Sequence, residues 1–174
     1  DDHFSVFSNL ALFNNVPAAF HCERLLCTDL VAIRPVFAFS TAISTVQRFA
    51  VVVNTSGSIA LQTRRLDADL LNTLTTATGL ISAGVPATIS AQVDWAGTGL
   101  AKIWLNGAEV ASGAVSGSVG NSEALDSGRA REGASLSGAP PSQPTFGWER
   151  RAVTTPFVLS NTQRTAVEDW VGAV

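Results

Sequence analysis

Few residues in this chain pair a reactive side chain with a spacing that suggests chemistry. His3 and His21 both lie near the N-terminus, and no nucleophile and base pair is recognisable around them. Cys22 and Cys27 stand five apart in His-Cys-Glu-Arg-Leu-Leu-Cys. On a regular strand they face opposite sides, so a disulfide between them needs a bend or bulge. As a metal site the pair is too sparse, because zinc takes about four ligands and only the two histidines remain. They read as two part-buried thiols. The nearest acid pairs are Asp67 with Asp69 and Glu168 with Asp169. Asp67 and Asp69 are flanked by the apolar Leu66, Ala68 and Leu70, and the pair falls short of the roughly six to eight oxygens that calcium prefers. No metal and no cofactor are expected.

The aromatic and cationic residues offer more. Trp104 alternates with Lys102 on the side of its strand away from the expected core, where an indole can stack on a ligand ring, and Trp148 is a second such candidate. The competing reading packs Trp104 under a second sheet or under the C-terminal helix. Arg129 and Arg131 could recognise carboxylates or acidic sugars through paired hydrogen bonds. A solvated charge cluster or a subunit contact fits the same spacing. Trp95 and Trp170 read as core.

These residues sit in a chain whose dominant pattern is short runs of period-two alternation between turn residues, the pattern of an antiparallel sandwich. In Thr88 to Trp95, Ile89, Ala91, Val93 and Trp95 point one way while Ser90, Gln92 and Asp94 point the other. Leu100 to Leu105 ends in Asn106-Gly107, whose tolerance of positive φ makes it a strong two-residue hairpin signal. The expected register sets Leu105 against Ala108, Ile103 against Val110 and Ala101 against Ser112, with Trp104 against Glu109 and Lys102 against Ala111. Leu105, Ile103 and Val110 then turn inward together. Phe49 to Val53 meets Ser58 to Leu61 in an earlier hairpin, its unbroken apolar run implying a strand covered on both faces. Ala18 to Cys27 and Leu30 to Ser40 are also strand-like, with Pro35 marking an edge, a bulge or a break.

Residues 112–145 form a long Gly-, Ser- and Pro-rich excursion holding one weak strand, after which order resumes at Phe146-Gly147-Trp148 and in a strand from Ala152 to Leu159. Ser160 with Gln163 is a capping box. A closing helix over 160–172 should lay Val167, Trp170, Val171 and Val174 on the sandwich. One domain over 1–174 accounts for the whole pattern.

Composition narrows the partners. With 46 % apolar and 14 % charged residues the chain is far from disorder, and its surface must be mostly uncharged. A net charge of −3, with Lys102 the single lysine among 11 basic residues, leaves no basic stripe for nucleic acid. No apolar run of membrane-spanning length occurs, so insertion into a membrane is not expected.

The stretch Val93-Asp94-Trp95-Ala96-Gly97-Thr98-Gly99-Leu100-Ala101-Lys102-Ile103-Trp104-Leu105-Asn106-Gly107-Ala108-Glu109-Val110-Ala111-Ser112-Gly113 resembles the central hairpin of the concanavalin A-like lectin/glucanase superfamily, and of its laminin-G-like members in particular. The tail Phe157-Val158-Leu159-Ser160-Asn161-Thr162-Gln163-Arg164 is similar to the element that ends many such domains with a short helix. The resemblance covers roughly residues 30–174. It implies an all-β, two-sheet antiparallel jelly roll, whose members bind glycans, bind proteins, cleave polysaccharides or decorate bacterial and phage-like particles. Glucanases of the superfamily carry an E-x-D-x-E pattern, because one carboxyl attacks while another protonates. No such triplet occurs here, and no catalytic residue is assigned.

The expectation is a non-enzymatic surface or appendage domain, of the virion head-spike, fibre or decoration type. It would sit on a particle surface or outside the cell and bind cell-surface polysaccharide or neighbouring subunits, and a homo-oligomer is expected. The alternative is a secreted carbohydrate-binding, lectin-like module or an accessory domain of a glycoside hydrolase. Fold does not choose between them.

Overall fold

A computed structural model describes residues 15–40, 47–66, 68–115, 117, 119–122, 129–132 and 151–173, with only the backbone described at 39–40, 47–48 and 129–132. Among the described residues ten strands and one helix follow in order: β1 (Ala18–Leu26), β2 (Arg34–Ser40), β3 (Gln47–Val53), β4 (Ile59–Thr63), β5 (Asn72–Thr75), β6 (Pro86–Asp94), β7 (Leu100–Leu105), β8 (Ala108–Ala114), β9 (Arg129–Glu132), β10 (Ala152–Thr155) and α1 (Asn161–Gly172). They form two antiparallel five-stranded sheets, β10-β1-β6-β7-β8 and β5-β4-β3-β2-β9. The chain is therefore the all-β, two-sheet antiparallel sandwich closed by a short C-terminal helix that its alternation implies.

Period two decides which side chains meet. Leu25, Ile89 and Ile103 of the first sheet face Phe37, Phe49 and Leu61 of the second, all within one buried cluster that also takes in Trp95. Each fully buried side chain of this size contributes about 1.5–3 kcal/mol. β4 packs over β7 and β5 over β8. His21 on β1 stacks on Phe37 of β2, so the sheets are aligned and the short strands β9 and β10 share the opposite side of the sandwich. The β3 run Phe49–Val53 is buried throughout, as its continuous hydrophobicity requires.

The Asn106-Gly107 corner has φ of 48° and 86°, the positive values of a primed hairpin turn. Its register corrects the sequence reading. Leu105 opposes Ala108 and Trp104 opposes Glu109 as expected, but Ile103 opposes Ala111, Lys102 opposes Ser112 and Ala101 opposes Gly113. Val110 is an extra residue on β8, a bulge that shifts the rest of the strand by one position. Ile103 stays fully buried, and Leu105 and Val110 remain packed against the core. A second irregularity falls between Pro35 and Phe37, where proline removes a ladder donor.

α1 begins at a complete capping box. Gln163 N–H donates to Ser160 Oγ at 3.3 Å, and Ser160 N–H donates to Gln163 Oε1 at 3.0 Å. Its C-terminal carbonyls, which have no partner within the helix, are met by arginines from elsewhere: Arg24 donates to the Gly172 carbonyl, and Arg151 Nη1 to that of Trp170 at 3.0 Å. The helix lies on the outer face of the first sheet, sealing a smaller cluster of Phe20, Cys22, Leu159 and Val171. Its inward stripe is Arg164, Glu168 and Val171, one face at helical spacing. Val167 is partly buried there, whereas Trp170 sits on the flank and is 52 % exposed, so the reading of Trp170 as core is corrected. Val174 lies outside the described residues.

Candidate functional site

The geometry around Trp104 explains why it cannot serve as an open platform. β7 alternates Trp104 and Lys102 onto the outer face of the sheet, as the sequence indicates, but that face is the one α1 covers. The Arg164 guanidinium lies 4.7 Å from the centre of the Trp104 ring, and the indole is only 5 % exposed. Arg164 is held by Glu168 at 2.5 Å, one helical turn on. Lys102 is 6.0 Å from the same ring and reaches outward to Glu109 at 3.0 Å. Trp104 and Lys102 are thus brought together, but in a cation-lined seat for the helix, and the expected wet face is corrected to a covered one.

Arg129 and Arg131 fall on β9, the edge strand of the second sheet, where they oppose Ser40 and Ala38. Trp148 lies outside the described residues. Asp67 does as well, and Asp69 accepts a hydrogen bond from the Leu66 amide in a local turn. Among the described residues no group of three or more His, Cys, Asp or Glu side chains could hold a metal ion. Asp94 of the Val-Asp-Trp motif accepts from the amides of Gly97 and Thr98 at 2.8 and 2.7 Å, closing the turn after β6. A side chain at Gly97 would collide with that carboxylate, its Cβ falling 2.5 Å from Oδ2, which is why glycine stands there.

Two arrangements emerge that residue spacing did not single out. The first is buried. His21 and Glu23 sit two apart on β1, pointing between the sheets, with Nε2 and Oε2 at 3.3 Å and exposures of 1 % and 0 %. The imidazole stacks on Phe37 with ring centres 4.3 Å apart, and Nδ1 lies 2.8 Å from the hydroxyl of Thr154 on β10. A base and acid so sealed cannot touch a substrate; they satisfy one another inside the sandwich. Cys22 and Cys27 are buried in different layers, Cys22 beneath α1 and Cys27 between the sheets, and no disulfide joins them. Burial pushes the Cys22 thiol up to about 12, with the Ser90 hydroxyl beside it opposing the shift.

The second arrangement is open to solvent. The guanidinium of Arg151 lies over one face of the half-exposed Trp170 ring, 4.8 Å from its centre. The hydrogen bond from Arg151 to the Trp170 carbonyl holds the two together. Phe20, Phe37, Phe49, Trp95 and Trp104 are all buried, leaving Trp170 and Phe157 as the exposed aromatic side chains among the described residues. The pairing escaped the sequence reading because Arg151 and Trp170 are 19 residues apart and meet only when β10 and α1 pack together.

With this geometry in place, solved structures show what the chain is similar to. The CBM40 domain of the Ruminococcus gnavus IT-sialidase bound to α2,3-sialyllactose superposes with a TM-score of 0.69 at 16 % identity, covering 88 % of this chain and 83 % of that one. The heptameric SAP-like pentraxin from Limulus polyphemus gives 0.61 at 14 % identity, over 90 % of this chain and 73 % of its own. The leech intramolecular trans-sialidase gives 0.65 at 13 % identity, covering 94 % of this chain but 24 % of its own length. No protein-family model and no curated protein sequence matches the chain. Likeness at these identities is likeness of fold, and the fold is the lectin-like jelly roll.

Proposed function

We propose that this is a non-catalytic carbohydrate-binding domain whose ligand stacks on the face of Trp170 that Arg151 leaves uncovered, with the guanidinium at the ring's other face to meet an oxygen-rich or acidic substituent. The observation that carries the reading is the exposed Trp170–Arg151 pair on a sandwich whose other tryptophans with described side chains are buried. An indole gives a flat apolar surface for the C–H face of a sugar, and a guanidinium gives directional donors at its rim. The fold's likeness to a module solved with sialyllactose supports the same ligand class. Arg129 and Arg131 on β9 are candidates for a separate contact with acidic groups.

The setting is a proposal of the same standing. An accessory domain of a larger glycan-acting protein is favoured by the likeness to parts that make up about a quarter of whole sialidases. A particle-surface domain that attaches to polysaccharide and to neighbouring subunits remains the other setting, supported by the sparingly charged composition.

A glycan array and isothermal titration with the intact protein test the reading. Trp170→Ala should weaken binding by up to about tenfold, since an aromatic contact contributes about 0.5–1.5 kcal/mol. The fold should survive, because the ring is half exposed. An intact protein that binds no glycan, or a variant that binds like the parent, would sink the assignment.

A further inference from the structure

Among the described residues the sandwich has four sheet edges, β10, β8, β5 and β9, and they are not protected alike. A sheet edge presents unpaired N–H and C=O groups, which proteins blunt by shortness, charge, proline or bulges. β9, β10 and β5 are each four residues long, β9 carries Arg129, Arg131 and Glu132, and Arg151 immediately precedes β10. β8 differs. It is seven residues long, has no proline or lysine, and beyond its Val110 bulge reads Ala111-Ser112-Gly113-Ala114. Ser112 and Ala114 are exposed.

The hydrogen-bond phase of β8 can be worked out. Val115 N–H donates to the Gly99 carbonyl at 2.8 Å. Bonding direction alternates along an antiparallel strand. Gly113 and Ala111 therefore bond inward to β7, and Ser112 and Ala114 turn their amides and carbonyls away from the sheet. Along the side of the sandwich formed by β8 and β5, Glu109 is the one charged residue of the two strands, and it is engaged by Lys102.

We propose that β8 is a self-association edge, in which Ser112–Ala114 of one copy pairs antiparallel with the same run of a second copy about a twofold axis. The two first sheets then join into one continuous sheet. Such pairing is self-complementary, as a twofold interface must be. With Gly113 opposite Gly113, Ser112 of each copy pairs with Ala114 of the other, and each Glu109 lies beyond the paired run. The two Glu109 carboxylates are then about eight residues, roughly 26 Å, apart, well beyond the screening length of about 8–10 Å. Small side chains on both faces let the backbones approach, and the four outward-turned backbone groups of each copy gain partners. An edge of this kind would accept a foreign strand as readily in hydrogen-bonding terms; neutrality and self-complementarity favour a second copy.

Sedimentation velocity of the full chain from about 1 to about 100 µM, a range that spans micromolar dissociation constants, should show a monomer–dimer equilibrium. Ser112→Pro removes an outward amide without breaking the ladder to β7, and it should raise the dissociation constant at least about tenfold while circular dichroism is unchanged. Independently, amide exchange at Ser112 and Ala114 in the unaltered protein should slow at the concentrations where dimer forms. Strict monomer over the whole range overturns the proposal. So does a dimer or larger ring in which Ser112→Pro associates as the parent does. If that variant fails to fold, amide exchange decides, and Ser112 and Ala114 amides that exchange equally fast in monomer and dimer overturn it as well.

Discussion

Replacing Glu168 with alanine would remove the carboxylate that compensates Arg164 in the seam between α1 and the first sheet. The Arg164 and Glu168 side chains are 10 % and 7 % exposed, and Arg164 Nε and Glu168 Oε1 have no hydrogen-bond partner among the described residues. The pair is thus nearly desolvated and incompletely satisfied. Breaking a buried pair from one side costs about 3–5 kcal/mol, because the remaining charge is left in low dielectric. The seam lies at the rim of the helix, and the residual exposure places Glu168→Ala at the low end, about 3 kcal/mol. For a domain of this size each kcal/mol lowers Tm by about 2–4 °C, so a fall of about 6–12 °C is expected by differential scanning calorimetry. The double variant Arg164→Met, Glu168→Leu should recover most of that loss, since an unbranched apolar chain still covers Trp104 and no charge is buried. A Tm within about 2 °C of the parent for Glu168→Ala would show that the pair is solvated. A double variant as unstable as the single one would show that the ion pair itself, and not desolvation of its partner, holds the helix down.

Two further outcomes follow from the interior. Cys22 and Cys27 should resist a thiol reagent at neutral pH in the folded protein and react together on denaturation; because the Cys22 thiol ionises at about 12 folded against 9.0 unperturbed, stability is unaffected below about pH 9 and falls as pH rises from there toward 12, and Cys22→Ala should flatten that alkaline slope in urea titrations. At the β3–β4 corner, Gly57 has φ of 71° and an added Cβ would fall 2.4 Å from the Ile81 carbonyl oxygen, so Gly57→Ala should lower stability by more than the 1–2 kcal/mol of a left-handed residue alone; an unchanged Tm would mean the loop simply moves.

Much of the architecture was readable from local rules. Alternation in Thr88 to Trp95, the Asn106-Gly107 corner, the unbroken run Phe49 to Val53 and the Ser160–Gln163 capping box each depend on near neighbours, and each appears where the residues place it. The Val110 bulge was not readable, because a one-residue insertion leaves both flanking patterns intact and only the ladder reveals it.

The site was less legible, for a physical reason. Which face of a strand is wet depends on what lies over it, and β7 alone does not say that α1 returns to cover Trp104. The helix does so with the guanidinium of Arg164, so the stripe of Val167, Trp170 and Val171 located the buried face at the two valines but failed at Trp170 and did not show that Arg164 and Glu168 share that face. Backbone periodicity and turn chemistry are properties of neighbouring residues, and the chain states them on its own. Exposure of Trp170, burial of His21 with Glu23 and the meeting of Arg151 with the helix end are properties of surfaces brought together from distant segments, and only the packed molecule decides them.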